Sequence, residues 1–144
     1  MALFIKHEFE VNADTATVWN VISDLARYGE WNPFVTQCSS SKQVGDPIHM
    51  RVKVLPFYAQ PQTEFVSEHI AGKKFAYRMK PLPMNLLHSQ RFHEVRDLGN
   101  GKTLYTSSFQ LEGVFSGFVQ LLLGRQLKRG FNEMCAALKI RAEQ

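Results

Sequence analysis

The chain has 144 residues, 44% of them hydrophobic and 21% charged, with a formal net charge of +4. Those values fit one soluble domain over residues 1–144, large enough to bury a sizeable core. The basic residues are scattered, which argues against a nucleic-acid face, since phosphate binding needs a clustered cationic surface; contact with an anionic membrane surface stays open.

The amino terminus, MALFIKHEFEV, alternates. Leu3, Ile5, His7, Phe9 and Val11 share one parity, and Lys6, Glu8 and Glu10 take the other. Period two predicts a half-buried strand rather than a leader peptide. No apolar run approaches the roughly twenty residues of a membrane span. The expected location is the cytoplasm. There the two cysteines, Cys38 and Cys135, are expected to stay reduced as small buried hydrophobes.

Asn12 or Asp14 is placed to cap a helix in which Val18, Val21, Ile22 and Leu25 recur at helical spacing. Gly29 permits a break after a second short helix, and Pro33 sends the chain out extended at Phe34. Gly45-Asp46 opens the cleanest two-faced strand, with Ile48, Met50, Val52 and Val54 alternating with His49, Arg51 and Lys53. Further strands are predicted over residues 63–70, 75–80, 86–95 and 103–111, with turns at Ala71-Gly72-Lys73 and Gly99-Asn100-Gly101. Residues 114–143 hold no proline and predict one long helix. Leu127, Phe131, Met134 and Leu138 form a stripe on its second half, whereas residues 114–123 are apolar nearly all round. Three readings of that first half stay open: packing under the loop at 81–87, a homodimer contact, or a docking or entry lip.

The segment VWNVISDLARYGEWNPFV (18–35), the Gly99-Asn100-Gly101 hairpin and the terminal GFNEMCAALKIRAE (130–143), in that order, resemble the START-like (SRPBCC) helix-grip superfamily, most closely its polyketide cyclase/dehydrase-like branch. The resemblance covers essentially the whole chain. It implies an α+β fold in which a curved antiparallel sheet wraps a long C-terminal helix, with two short helices after the first strand and a cavity between sheet and helix. It also implies a hydrophobic small-molecule ligand, such as a lipid, isoprenoid or polyketide-like ring system. Motion of the loop at 81–87 against the last helix would admit it.

The polar residues suited to orient such a ligand are His7, an inward-facing anomaly on strand one, and His88, Gln90 and Tyr105. If the protein is a cyclase or dehydratase, His7 or His88 is the candidate base and Tyr77 or Tyr105 the candidate proton donor. Whether any reaction occurs stays open, as does a protein-interaction role with a filled cavity. The expected ligand-binding set is Phe34, Met50, Val52, Phe65, Tyr77, His88, Gln90, Phe92, Tyr105, Phe109, Gly124, Phe131 and Met134. Alternation alone does not decide whether His88, Gln90 and Phe92 or Arg91 and His93 face the cavity; the latter pair would favour an acidic ligand. Trp31 is expected to pin the small helices, and His49 and His69 to face solvent. No metal-ligand spacing, phosphate-cradling glycine loop or Gly-x-Ser-x-Gly context occurs, so no metal or cofactor is expected. A monomer or a homodimer is expected.

Overall fold

A computed structural model describes residues 2–144. Strand β1 (Ala2–Val11) leads to helix α1 (Thr15–Ser23), a 3-10 turn (Leu25–Glu30), and strands β2 (Val35–Ser40), β3 (Pro47–Leu55), β4 (Tyr58–Ile70) and β5 (Lys74–Arg78). A 3-10 turn at Pro83–Asn85 precedes β6 (His88–Gly99) and β7 (Lys102–Glu112), and the chain closes on α2 (Ser116–Glu143). All seven strands form one antiparallel sheet in the order β1-β7-β6-β5-β4-β3-β2. This is the helix-grip α+β fold.

Each element follows from local chemistry. Asp14 caps α1 by accepting from the Thr17 N–H at 2.8 Å. The Asn32 side-chain oxygen accepts from the Phe34 and Val35 N–H groups at 2.9 and 2.8 Å, which turns the chain into β2 and aims Phe34 inward. Strand β2 has little apolar alternation and escapes the sequence pattern. Strand β4 begins earlier than expected and contains Pro61, tolerated because β5 pairs only with the Phe65–Ile70 end of β4, so the missing N–H breaks no ladder. Bulges at Val35/Gln37, Val52/Leu55, Val66/Glu68 and Asp97/Gly99 bend the sheet around α2.

The core fills the lower half of the cup. Val11, Val18, Ile22, Tyr105, Met134, Cys135 and Leu138 are completely buried there. The bulge in β4 turns His69 inward, where it stacks on Trp19 at 6.0 Å and meets Phe75 edge-on at 5.6 Å. The expectation of a solvent-facing His69 is therefore corrected, whereas His49 is exposed and bonded to Thr63. Trp31 packs edge-on against Tyr28 at 5.2 Å.

At the upper end, the loop at 79–87 is tied to the start of α2. The Val114 and Phe115 N–H groups donate to the Asn85 and Leu86 carbonyls at 3.0 and 2.9 Å. Gly113 permits this approach: its φ is +113°, and a Cβ there would lie 2.7 Å from the Leu86 carbonyl oxygen.

Candidate functional site: an apolar cleft with a buried cation

A sheet bent this strongly cannot meet one straight helix along its whole length, and the gap opens above the core. A cleft of 340 Å³ runs between β3, β4, β7 and α2, walled by Val54, Leu111, Val119, Leu123 and Leu127. It narrows into a chamber of 70 Å³ closed by Phe34, Met50, Phe131, Tyr77 and Arg91. Val52, Val54, Gln62, Glu64, Phe109 and Leu127 border both spaces, which makes the chamber the inner end of the cleft. Larger hollows of 580 and 780 Å³ lie outside the cup beside β2; their walls are shallow and polar, and no buried charged group borders them.

The inner end is polar. Arg91, only 3% exposed, donates to the Ser107 hydroxyl at 2.6 Å and to the Ser108 and Phe92 carbonyls at 3.2 Å. Its other terminal nitrogen meets the Met134 sulfur at 3.6 Å, and the guanidinium lies 4.5 Å from the centre of the Phe131 ring. These partners are neutral: no carboxylate is among them. A guanidinium stays charged at any physiological pH, so a full positive charge sits at the closed end of an apolar cleft. Glu64, also buried, borders the same chamber and accepts from the Gln62 amide at 2.5 Å. Burial pushes its carboxyl above the usual range, against the opposing pull of that hydrogen bond and of the Arg91 charge.

Behind the chamber His93 is completely buried between two tyrosines. Its Nδ1 shares a hydrogen bond with the Tyr105 hydroxyl at 2.7 Å and its Nε2 with that of Tyr77 at 3.2 Å. Burial, and then the Arg91 charge, hold His93 well below the ordinary 6.5, so it is neutral in the fold. The unfolded chain binds a proton there that the folded state does not. Stability is therefore full above pH 6.5 and falls as pH drops below it, with a slope approaching about 1.4 kcal/mol per pH unit. His7, also lowered by burial and by Arg91, adds the same sign. Glu64, being raised, contributes the opposite sign, losing stability as pH rises from its ordinary value. Urea unfolding across the acid range is expected to show the decline below 6.5 flattened in His93→Gln; an unchanged slope would contradict the assignment.

Of the residues expected from sequence, Phe34, Met50, Val52, Tyr77, Phe109 and Phe131 border the chamber. The others do not. Strand β6 turns Ser89, Arg91, His93 and Val95 inward, which places His88, Gln90 and Phe92 on the outer face. There Gln90 accepts from Ser67 and Phe92 lies under the Lys74 ammonium. Phe65 is outward for the same reason of parity, since Glu64 and Val66 point in. Tyr105 is sealed behind His93, and Met134 lies beneath Arg91. Gly124 faces the β1 side of α2, beside Leu3 and Ile5. His7 points toward α2 with an unpartnered Nδ1 but does not border the cleft. Tyr77 is thus the one acid/base candidate that reaches the chamber. Glu64 and Gln62 were missed, and their shared parity with Val66 is the signal that would have found them.

Neither thiol is a nucleophile at neutral pH: burial pushes Cys38 up to about 12 and raises Cys135 as well. Among the described residues no cluster of His, Cys, Asp and Glu is placed to hold a metal ion, and no helix is long and apolar enough to cross a membrane.

Comparison with solved structures finds proteins of the same fold. The chain is similar to the Zhui aromatase/cyclase of Streptomyces sp. R1128 (TM-score 0.80, 16% identity, 99% of this chain and 94% of that one). It is similar to a START superfamily protein of Mycobacterium smegmatis (TM-score 0.73, 19% identity, 98% and 97%). It is also similar to norcoclaurine synthase of Thalictrum flavum (TM-score 0.71, 17% identity, 96% and 92%). At such identities the likeness is one of fold. No curated protein sequence matches the chain. A family model does, over residues 5–143, and the chain therefore belongs to the family described as polyketide cyclase / dehydrase and lipid transport.

Proposed function

We propose that the protein binds a compact hydrophobic small molecule bearing one oxygen function, an acid, phenol, enol or carbonyl, with that oxygen at the Arg91 end of the cleft. The observation that carries this reading is a buried cation without a carboxylate partner at the inner end of an apolar cleft. The long walls supply affinity at about 25 cal/mol per Å² of apolar surface buried, and Arg91 supplies orientation. A cleft of 340 Å³ lies at the lower end of the roughly 300–1,000 Å³ typical of small-molecule sites. The open cleft speaks against an interaction module whose cup is filled by its own side chains.

One observation favours a second reading, catalysis of the cyclase or dehydratase kind. Glu64, with its carboxyl raised by burial, borders the same chamber as Arg91 and Tyr77. A carboxyl tuned upward is suited to pass a proton, and a fixed guanidinium is suited to stabilise the enolate that proton loss creates. Glu64 would be the base and Arg91 the electrostatic partner. Native mass spectrometry of the purified protein, followed by organic extraction, tests the binding reading. A bound species of the stated class supports it, and its conversion by wild type but not Glu64→Gln supports the second. A protein that carries nothing, and takes up neither naphthoic acid nor a long-chain fatty acid, counts against both.

A further inference from the structure

The antiparallel registers bring three connections to one end of the sheet: the β3–β4 turn, the β5–β6 loop and the β7–α2 junction. This is the open end of the cleft, where Leu55 and Tyr58 from the turn face Val119 and Leu123 from α2. It is also where the chain leaves apolar side chains in water. Of fifteen exposed large apolar residues among those described, ten belong to these three connections and the first turns of α2. Phe57, Met84 and Leu121 are each at least 80% exposed, and Val114, Phe118 and Leu122 more than half. Scattered apolar residues need no explanation, but a rim contributed by three separate elements around one opening does.

The charge pattern of the same end says what meets it. Residues 51–60, 76–90 and 110–128 hold six lysines and arginines (Arg51, Lys53, Arg78, Lys80, Arg125, Lys128) against one carboxylate, Glu112. None of the six is ion-paired among the described residues; of the eleven basic residues elsewhere, Lys6, Arg27, Lys74, Lys102, Arg129, Lys139 and Arg141 each lie beside an acid, and Lys42, Lys73, Arg91 and Arg96 do not. Most of the remaining carboxylates, Asp14, Asp46, Asp97 and Glu143 among them, lie toward the opposite end, whereas Glu64 sits inside the cleft, away from its rim. An apolar rim set in unpaired positive charge is complementary to an anionic bilayer: side chains enter the headgroup boundary while cations meet lipid phosphates. A second copy of the chain would bring the same cations face to face.

We infer that the open end of the cup docks on an anionic phospholipid surface, so that the cleft faces the membrane and exchanges its ligand with the bilayer. The docking does not depend on what the cleft holds. The test is co-sedimentation of the full chain with extruded vesicles of phosphatidylcholine alone and of phosphatidylcholine with phosphatidylglycerol. It is run for wild type, Lys80→Gln/Arg125→Gln and Phe57→Ser/Leu121→Ser. These side chains are exposed, so the variants are expected to melt like wild type. Binding is expected only to the anionic vesicles, falling as salt is raised, weakened roughly thirtyfold in the charge variant and also lost in the apolar variant. No binding to the anionic vesicles, equal binding to both kinds, or an unchanged charge variant would overturn the proposal. So would absent vesicle binding together with a wild-type dimer that Phe57→Ser/Leu121→Ser converts to monomer; the rim would then be a contact between copies.

Discussion

Arg91→Met is expected to leave the protein as stable as wild type or more so, by up to about 3 kcal/mol, and to weaken ligand binding by at least about tenfold. Taking a guanidinium out of water costs several kcal/mol, and no carboxylate lies within ion-pair distance to offset that cost, Glu64 feeling the Arg91 charge only from across the chamber. What Arg91 gains instead is a set of hydrogen bonds to Ser107, Ser108 and Phe92, a thioether contact and the Phe131 ring. Methionine fills nearly the same space without the charge. Arg91→Ala separates the two effects, because it removes the charge and also leaves a void beside Met134 and Phe131; it is expected to lose about 3 kcal/mol. Urea unfolding of the two variants decides between the roles. If methionine unfolds the protein as readily as alanine does, Arg91 is a structural tie and not a cation kept for a ligand.

The second large effect falls on a glycine. In the middle of α2, Gly130 lies against Phe34 so closely that a Cβ would sit 2.3 Å from two carbons of the Phe34 ring. The ring cannot swing away freely: it is buried, and Phe131 holds it edge-on at 4.9 Å. Gly130→Ala gains about 1 kcal/mol of helix propensity and incurs overpacking of about 1–3 kcal/mol or more. With contact this short, overpacking wins, and a net loss of about 2 kcal/mol is expected, or roughly 5 °C in Tm. Adding Phe34→Leu makes room for the methyl group. The double variant is therefore expected to recover most of the loss, as contacting pairs do when their effects fail to add. A Gly130→Ala protein as stable as wild type would show that Phe34 is mobile and that the chamber wall is soft.

The architecture was legible because its elements obey local rules. Strands β1 and β3 alternate cleanly, Asp14 and Gly29 mark the ends of the small helices, and the α2 stripe from Phe131 to Leu138 has helical period. The site was only half legible because β6 and β4 break the binary pattern where the site lies. On β6 the aromatic Phe92 faces out and the charged Arg91 faces in, because Arg91 and His93 find hydrogen-bond partners on β7 and β5. On β4, Phe65 faces out while Glu64 borders the chamber. Local inversion of the apolar pattern is the usual mark of a functional region, since polar groups kept inside work against stability. His88 was misplaced by the same inversion. Gly124 was misplaced because a missing side chain shows only that something approaches, not from which side.

The central claim is that the cleft holds an apolar molecule by its walls and orients it by Arg91. The most direct measurement is fluorescence titration with an anilinonaphthalene-sulfonate probe, an aromatic body carrying one anion, on wild type, Arg91→Met and Leu127→Trp. Leu127 borders both the cleft and its inner chamber, so the larger ring blocks the site without touching the charge. Both variants are expected to bind at least about tenfold more weakly than wild type, the first through a lost charge-assisted contact and the second through lost space. Undiminished binding in both would place the probe elsewhere on the surface and contradict the account.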